Sequence, residues 1–585
     1  MIAEKKWILA KGDDTGGKTQ ELASGLGIPP VLAGLLIQRG IDSTESAERF
    51  FNPLLEELHD PFLMKDMDRA VSRIGEAVKN GEKIMVYGDY DVDGTTAVAL
   101  TYTFLASVGA KNIIFYIPDR YTEGYGISAK GIDHAAAHGV SLIIALDCGI
   151  KAIERVAYAK SLGIDFIICD HHLPGDTIPD AVAVLDPKRV DCDYPFKELS
   201  GCGVGYKLSE AYAKKYGIDK STVESLLDYV AVSIASDIVP LTGENRILAH
   251  YGLERLNSNP SKGLRSIIKI CGLEKHRITI DEIVFKIGPR INAAGRMASD
   301  SDDDSAISGG GNAVRLLISN TEEKALKYGN IIDTCNTDRK EIDRTITSEA
   351  CRIVESTPGY RDKKCTVIYN PKWIKGVVGI VASRLIERYY RPTVVLTMSN
   401  GFITGSARSV PGFDLYQAIE SCSDLMENFG GHTYAAGMTM KPEKLEEFTR
   451  RFEEYVDSHI EPDMLVPQID IDSYLALDDI TPHFREVLCR FQPFGPGNPA
   501  PTFRTDFVCD YGHGRRVGGS LEHLKMDIVG GGSVTPLSAI AFSQAHHASH
   551  ILGGGLFDIC YSVVENNYRG EVKPQLRIKD IKQRK

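Results

Sequence analysis

Four apolar runs in this chain each end in aspartate or histidine, and this feature most constrains how the chain can fold. The runs are VYGDYDVDG (86–94), LIIALDCG (142–149), FIICDHH (166–172) and SIASDIVP (233–240). A carboxylate at the end of a buried strand is unstable unless something positive lies beside it. We therefore expect the four ends to converge around bound cations. The side chains concerned are Asp89, Asp91, Asp93, Asp147, Asp170, His171, His172 and Asp237.

Length and composition limit the classes of protein to which this chain can belong. The 585 residues exceed what one hydrophobic core supports, and the 43% hydrophobic and 25% charged content is that of a globular protein. No apolar run reaches bilayer length and the start lacks signal-peptide features, so we expect a cytoplasmic protein. The twelve cysteines form no CxxC pair, which argues against zinc and disulfide frameworks. The net charge of −12 argues against a nucleic-acid coat protein but permits a local basic groove.

The order of apolar and helical segments predicts an α/β architecture of several domains. From about 83 to 240 short apolar runs alternate with helical ones, which is typical of βαβ units and a parallel sheet whose ligands bind beyond the strand ends. We expect a helical lead-in at 1–55, this parallel-sheet domain at 56–300, a smaller α/β domain at 358–460 and an OB-like β-barrel at 465–585. The segment 301–357 is predicted to be a loop that continues the acidic DSDDDS at 300–305, followed by one long bridging helix or two abutting ones.

The segment DYDVDG (89–94) matches the first half of an EF-hand calcium loop. That loop needs glutamate at its twelfth position, where this chain has Leu100, so the EF-hand is rejected. The alternative to a cation-binding segment is an ordinary acidic surface turn. Alternation along an extended segment would instead point Asp89, Asp91 and Asp93 the same way, towards cations.

The segment DHH (170–172) follows an apolar run and adds imidazole to the cluster. Oxygen and nitrogen ligands without thiolate suit manganese, with magnesium as the alternative. Taken alone, the two histidines could be hydrogen-bonded surface residues, and the other three run ends favour the metal interpretation.

These motifs resemble, in order and spacing, the four motifs of the DHH phosphoesterase superfamily. Further motifs are similar to those of the RecJ exonuclease family within it: LDPKR (185–189), GPRINAAGRM (288–297), GVVGIVASR (376–384), GSARS (405–409), FGGHTYAAGMT (429–439) and PFGPGNPAP (493–501). The resemblance implies that the parallel-sheet domain is a DHH domain, the smaller α/β domain a DHHA1 domain and the barrel an OB-like nucleic-acid-binding domain.

The resemblance also implies the activity and the residues that carry it. It implies an exonuclease that hydrolyses single-stranded DNA 5′→3′ to mononucleotides in repair and recombination, using two divalent ions, Mn²⁺ or alternatively Mg²⁺. The implied metal ligands are Asp91, Asp93, Asp147, His171 and Asp237, with Asp89 either as a further ligand or as a residue that contacts the ligands. Asp147 would bridge the two ions, and His172 would act near the scissile phosphate.

Phosphate contacts are expected from arginine-containing motifs, since guanidinium forks suit phosphate oxygens. The candidates are Arg120, Arg290, Arg296, Ser406 and Arg408, together with a predicted turn at Gly430, Gly431 and His432 whose main-chain amides could approach the substrate. By resemblance, Arg120, Ser406 and Arg408 would hold the 5′ end. A lone exposed arginine is usually a solvated surface group, and only the clustering in motifs raises these above that expectation.

The C-terminal segment carries a weaker signal for nucleic acid. Residues 569–585 hold seven basic and two acidic residues, with Tyr561 and Tyr568 nearby, a combination that suits unspecific single-strand binding. An ordinary last hairpin with a solvated tail explains it equally well.

Two other functions are compatible with the sequence. A DHH phosphodiesterase of short oligonucleotides or cyclic dinucleotides would be more compact, and a non-enzymatic replication scaffold would have lost metal ligands that are all present here. The expected partners are single-stranded DNA, a helicase and a single-strand-binding protein. No membrane association is expected, and a monomer is the default.

Overall fold

The computed structural model describes residues 4–10, 17–297, 309–530, 533–568 and 571–584. The acidic segment at 300–305 lies outside these ranges. The chain divides into two compact units, a smaller one of Met1–Ala10 with Asn336–Ile471 and a larger one of Lys11–Cys335 with Asp472–Lys585.

The chain begins with a short strand and three helices: β1 (Lys6–Leu9), α1 (Lys18–Leu26), α2 (Pro30–Gln38) and α3 (Thr44–Phe51). Ser43 caps α3, its hydroxyl accepting from the backbone N–H of Ser46 at 3.2 Å. Among the described residues no single helix is long and apolar enough to cross a bilayer. The pair α1 and α2 passes that test together but is bent by 115°.

A five-stranded, wholly parallel sheet forms the centre of the larger unit. Its strands are β2 (Ile84–Gly88), β3 (Ile113–Tyr116), β4 (Leu142–Leu146), β5 (Asp165–Cys169) and β6 (Ala183–Leu185), in the order β3-β2-β4-β5-β6. Helices α4 (Met67–Asn80), α5 (Val92–Ser107), α6 (Ala129–Ala137) and α7 (Ile153–Ser161) precede or connect the strands. Apolar clusters cover both faces, so β2 and β4 are buried at every residue. The strand order reverses between β2 and β4, where sheets of this kind open a ligand crevice.

A helical layer follows the sheet. It contains α8 (Gly201–Tyr216), α9 (Lys220–Glu224), α10 (Leu227–Asp237), α11 (Gly243–Ser258), α12 (Lys262–Ile270), α13 (Ile280–Glu282), a π-helical turn (Ile283–Ile287), α14 (Gly288–Ala294) and α15 (Gly309–Leu317). The expectation that SIASDIVP ends a strand is wrong, because this segment is the end of α10. Every residue of α10 from Leu227 to Ala235 is buried, and a helix that is apolar all round lacks the periodicity that would distinguish it from a strand.

The predicted long helix is confirmed as one uninterrupted element. Helix α16 (Glu322–Ser356) runs for 35 residues and contains the division between the two units.

The smaller unit holds a mixed α/β fold. Its elements are β7 (Thr366–Tyr369), α17 (Lys375–Tyr389), β8 (Thr393–Ser399), β9 (Phe402–Arg408), α18 (Leu415–Glu420), β10 (Met426–His432), β11 (Ala435–Met440), α19 (Leu445–His459) and β12 (Gln468–Ile471). The sheet order is β10-β11-β9-β8-β7, and β12 pairs in parallel with β1. Gly430, Gly431 and His432 do not form the predicted turn. They lie in β10, an edge strand, and pair with β11.

The C-terminal part of the larger unit is a closed barrel, as expected. Its elements are β13 (Ser473–Tyr474), α20 (Pro482–Arg490), β14 (Phe503–Asp510), β15 (Arg515–Val517), β16 (His523–Gly530), β17 (Ser533–Ala541), α21 (Ala548–Leu552), β18 (Phe557–Tyr568) and β19 (Glu571–Gln583). The ring β14-β18-β19-β17-β16 closes because β16 also pairs with β14. Closure removes exposed strand edges from the ring.

The N-terminal helices belong to the core of this barrel. Buried side chains of α1 to α3, such as Leu36 and Phe51, share one apolar cluster with Phe491 and Phe503. Arg246 of α11 stabilises the same junction. Its guanidinium carbon lies 3.8 Å from the Phe50 ring centroid, and its N–H groups donate to the backbone carbonyls of Phe50, Arg490, Phe491 and Gln492.

Candidate metal centre

Three strands deliver side chains to the crevice. Asp89 follows β2, Asp147 follows β4, and His171 comes two residues after β5. Asp147 has a left-handed backbone conformation with φ of 58°, an uncommon state for a residue other than glycine that is often found at functional sites. The ends of β4 and β5 converge, since His171 Nε2 lies 3.1 Å from Asp147 Oδ1.

Asp91 and Asp93 reach the site from a helix. The predicted extended segment is wrong, because α5 already begins at Val92. Asp91 is its N-cap and accepts from the Gly94 N–H at 3.0 Å. Asp93 is fully buried and accepts three hydrogen bonds, which leaves few of its lone pairs free. The donors are Gly201 N–H (2.7 Å), Cys202 N–H (2.8 Å) and Ser233 Oγ (2.7 Å).

His171 lies at the middle of the carboxylates. Its Nε2 is 3.1 Å from Asp147 Oδ1, 3.6 Å from Asp237 Oδ2 and 3.7 Å from Asp93 Oδ2. Burial lowers the pKa of His171, so the neutral ring offers a lone pair. Asp237 is the last residue of α10, and the next residue, Ile238, has a φ of 61°.

The carboxylates of the cluster repel one another. Burial, and then the neighbouring charge of Asp91, raises the pKa of Asp89, while burial and then Asp93 raise the pKa of Asp91, Asp147 and Asp237. Such groups require either protons or cations to coexist. Among the described residues, both carboxylate oxygens of Asp89, Asp147 Oδ1 and both ring nitrogens of His171 are buried without a hydrogen-bond partner.

The side chains of the cluster offer ligand atoms for divalent cations. Two groups of ligand atoms lie close enough to share an ion: Asp93 with His171 and Asp237, and Asp147 with His171 and His172. The donor set is oxygen and imidazole nitrogen, which suits Mn²⁺ or Mg²⁺. The cluster thus has the chemistry of a metal centre.

His172 differs from its neighbour. Burial alone would lower its pKa, but the hydrogen bond and charge of Asp170 outweigh burial and raise the pKa of His172 to about 9. His172 Nδ1 lies 2.8 Å from Asp170 Oδ1 and Nε2 lies 3.2 Å from the Tyr125 hydroxyl. The ring is therefore held at both nitrogens beside the cluster.

Comparisons with known proteins agree with this geometry. The family models "DHH family, N-terminal domain", "DHHA1 domain" and "RecJ OB domain" match residues 83–234, 362–458 and 471–580. The chain is 36% identical over 583 residues to the single-stranded-DNA-specific exonuclease RecJ of Bacillus subtilis, covering 99% of this chain and 71% of that protein. It is 34% identical to the protein of the same name from Salmonella typhimurium, covering 96% and 97%. The chain belongs to the RecJ family.

A solved structure of the RecJ family supports the fold over the whole chain. The crystal structure of RecJ in complex with Mn²⁺ from Thermus thermophilus superimposes with a TM-score of 0.82 at 25% identity, covering 99% of this chain and 80% of that one. The DHH, DHHA1 and OB architecture expected from the resemblance is confirmed.

The three arginines of the larger unit that the RecJ resemblance singled out have different surroundings. The guanidinium carbon of Arg120 lies 4.6 Å from the Tyr90 ring centroid, and a guanidinium placed over a ring can still donate its N–H groups to a phosphate. Arg290 donates to Asp333 at 2.8 Å, so its charge is already matched. Arg296 accepts, through its carbonyl, a 2.5 Å hydrogen bond from the Tyr121 hydroxyl.

The remaining RecJ-family candidates lie in the smaller unit. Arg408 donates to Ser406 Oγ at 2.7 Å and to the Ala407 carbonyl at 2.8 Å, and burial lowers its pKa. Both of these acceptors are neutral, and a half-buried cation of this kind attracts an anion. The early part of α17 approaches closely, since a Cβ on Gly379 would lie 3.1 Å from Ser406 Oγ and 3.2 Å from Arg408 Nη2.

Several residues around the RecJ-family cluster escaped prediction. Gly201, Cys202 and Ser233 hold Asp93, and Tyr125 holds His172. Among them only the closely spaced small residues SGCG at 200–203 gave a signal, as a helix start that admits close approach.

Proposed function

We propose that this chain is a metal-dependent exonuclease that hydrolyses single-stranded DNA 5′→3′ to mononucleotides in DNA repair and recombination. The single observation that carries the proposal is the cluster of buried, unpartnered oxygen and nitrogen atoms at the reversal point of the parallel sheet. Its membership of the RecJ family supplies the substrate class.

Six side chains would hold two divalent cations: Asp89, Asp91, Asp93, Asp147, His171 and Asp237. Bound divalent cations lower the pKa of water and neutralise phosphoryl oxygens, which is what phosphodiester hydrolysis requires. By the RecJ-family resemblance Asp147 would contact both cations, and its buried Oδ1, which has no hydrogen-bond partner, supports its role as a ligand. Mn²⁺ is proposed ahead of Mg²⁺, because an imidazole ligand suits Mn²⁺ better.

The chain's other residues prepare the site for an anionic substrate. Gly201, Cys202 and Ser233 fix the direction of the Asp93 carboxylate through their hydrogen bonds. The hydrogen bond and charge of Asp170 raise the pKa of His172, and a protonated His172 would favour a phosphate as negative charge develops there.

Polarity would come from recognition of the 5′ phosphate. By the RecJ-family resemblance, Arg120, Ser406 and Arg408 are the residues proposed to hold the 5′ end. Arg290, Arg296 and the β10 residues Gly430, Gly431 and His432 are proposed as further contacts of the DNA backbone. The OB-like barrel would bind the strand beyond the site. A helicase and a single-strand-binding protein are proposed to deliver the substrate to a monomeric enzyme.

The first experiment compares 5′-labelled and 3′-labelled single strands and duplexes, with Mn²⁺ or with chelator. We expect labelled mononucleotide from the 5′-labelled single strand, in Mn²⁺ only. Release of mononucleotide first from the 3′ label, or equal digestion of duplexes, would contradict the proposed polarity or substrate. Release that persists in chelator would contradict the metal centre.

Variants then assign the residues. Asp147→Ala should reduce turnover by about a hundredfold or more, while the affinity for single strands, measured by fluorescence anisotropy, stays unchanged. Asp176→Ala, at an exposed position, serves as the control. Arg408→Ala should weaken binding of a 5′-phosphorylated strand by roughly ten- to a hundredfold, the value of a charged hydrogen bond. Arg388→Ala, an exposed arginine on α17 paired with Glu355, should leave that affinity unchanged.

A further inference from the structure

The loop between β3 and α6, residues 117–128, carries both Arg120 and Tyr125. We propose that Glu123 is a positioning residue that holds this loop in place, so that Arg120 stays beside the metal cluster and Tyr125 holds the His172 ring. This inference rests on the proposed exonuclease function, and it assigns to Glu123 and Tyr125 roles that the metal ligands alone do not supply.

Glu123 ties the two ends of the loop to its middle. Its side chain is only 5% exposed. Oε2 accepts hydrogen bonds from the hydroxyls of Tyr116 (2.9 Å) and Ser128 (2.5 Å), and Oε1 accepts from the Asp119 N–H (2.9 Å). Tyr116 is the last residue of β3 and Ser128 is the N-cap of α6, so one carboxylate connects strand, loop and helix.

A second group of contacts keeps the loop closed. Asp119 Oδ1 accepts from the backbone N–H groups of Tyr121 (3.0 Å) and Thr122 (2.8 Å). Near the other end, the buried Tyr87 hydroxyl donates to the Gly126 carbonyl at 2.9 Å. The backbone at Gly126 has a φ of 82°, which glycine adopts without strain. The loop is thus fixed at several points by contacts internal to the domain.

A series of side-chain contacts connects Arg120, through Tyr90 and Tyr125, to His172. The Arg120 guanidinium lies 4.6 Å from the Tyr90 ring centroid, and the Tyr90 and Tyr125 rings meet edge to face at 6.3 Å. The Tyr125 hydroxyl then lies 3.2 Å from His172 Nε2 and 3.2 Å from the Asp147 carbonyl oxygen. Movement of the loop would therefore displace the arginine and the tyrosine together.

Hydrogen-bond chemistry explains why Tyr125 matters to His172. A carbonyl oxygen can only accept, so the Tyr125 hydroxyl donates to Asp147 and accepts from His172 Nε2. The other ring nitrogen of His172 lies 2.8 Å from a carboxylate oxygen of Asp170. The imidazole is held from both sides, with Tyr125 on the side that faces away from Asp170.

The test uses the full-length chain with a single-stranded oligonucleotide bearing a 5′ phosphate or a 5′ hydroxyl. Kinetics of mononucleotide release give kcat and KM, and electron paramagnetic resonance gives the Mn²⁺ affinity. Glu123→Ala should lower kcat/KM on the phosphorylated strand by about thirtyfold and reduce the preference for a 5′ phosphate, with Mn²⁺ affinity within about threefold of the parent, since no metal ligand is altered. Glu123→Gln keeps one carbonyl acceptor and should lose less.

Tyr125→Phe keeps the ring and removes the hydroxyl. We expect kcat to fall about tenfold with KM unchanged, and the double variant Glu123→Ala/Tyr125→Phe to show no further fall in kcat, because both changes release the same histidine. Glu154→Ala and Tyr158→Phe are matched controls, since both residues are exposed on α7. Both controls should behave as the parent.

The outcomes distinguish failure of the proposed exonuclease function from failure of the role assigned to Glu123. If the parent chain does not degrade single strands, the proposed function fails and the inference with it. If the parent is active and Glu123→Ala keeps its kcat/KM and its 5′-phosphate preference, the inference alone is overturned. Loss of Mn²⁺ affinity in parallel with activity, or additive effects in the double variant, would also overturn it, because either would mean general disruption rather than positioning.

Discussion

Gly201→Ala is the most direct test of how the candidate metal centre is built. Gly201 is the first residue of α8. Its N–H donates to Asp93, and its Cα faces Asp147. A Cβ placed there would lie 2.6 Å from Asp147 Cβ and 2.9 Å from Asp147 Oδ1. Since ordinary contact begins near 3.4 Å, the two groups must separate by about 0.8 Å.

Either way of making that space moves a ligand. If Asp147 retreats, its free oxygen leaves the cation position, and if α8 retreats, the hydrogen bond to Asp93 lengthens. A misplacement of about 1 Å at a reacting centre costs up to roughly a hundredfold in rate, so we expect a loss of about thirty- to a hundredfold in turnover, or about 2–3 kcal/mol at 1.4 kcal/mol per factor of ten. Overpacking should also lower the free energy of unfolding by about 1–3 kcal/mol.

The assay combines mononucleotide release from a 5′-labelled single strand with Mn²⁺ titration followed by electron paramagnetic resonance. Gly205→Ala is the matched control on the same helix. Its Cβ would lie 3.2 Å from Leu146 Cδ2, the end of a flexible side chain, so turnover should change by less than about threefold. Wild-type turnover and Mn²⁺ affinity in Gly201→Ala would refute the proposed geometry.

Three further predictions concern the metal, the buried arginine and a histidine of the barrel. Removing divalent ions should abolish turnover and lower the melting temperature. Adding Mn²⁺ at a hundred times its Kd should then raise the free energy of unfolding by about 2.7 kcal/mol. A melting temperature that does not change when Mn²⁺ is added would argue against a cation site. Arg246→Lys should reduce the free energy of unfolding in urea by about 3 kcal/mol, because one ammonium cannot replace a guanidinium bonded to four carbonyls. The same change at Arg450, an exposed residue of α19, should leave the free energy of unfolding nearly unchanged. Burial, and then the charges of His546 and His550, lower the pKa of His547 to about 4. Below about pH 6.5 the unfolded chain therefore protonates His547 while the folded chain does not. The contribution of the neutral His547 to the free energy of unfolding is present above that pH and is lost as the pH falls towards 4. His547→Asn should flatten the fall in melting temperature between pH 7 and pH 5, and an unaltered slope would contradict this origin.

The strand ends were predictable because their pattern is local. The runs before Asp89, Asp147 and His171 are buried strands of one parallel sheet, and parallel strands bring their carboxyl ends to one edge. Helix α16 was predictable for the same reason, since a long stretch without proline leaves helix as the natural choice.

Other parts of the site depend on contacts that sequence order conceals. The pattern around Asp237 resembles a strand because α10 is buried on nearly all sides, and the alternation of DYDVDG resembles an extended segment although Asp91 is the N-cap of α5. The donors to Asp93 come from more than a hundred residues further along the chain. The pairing of Arg290 with Asp333 likewise required the fold before it could be seen.

The shared core of α1–α3 and the barrel has a consequence for synthesis. Phe51 is made early, whereas its cluster partners from Leu475 onwards emerge more than 400 residues later. At roughly 5–20 residues per second, the apolar faces of the first helices must wait on the order of 20–85 s for the strands that bury them. During that interval the first three helices expose apolar surface on the nascent chain. A ribosome-associated chaperone would therefore have a binding site within about the first fifty residues for longer than elsewhere.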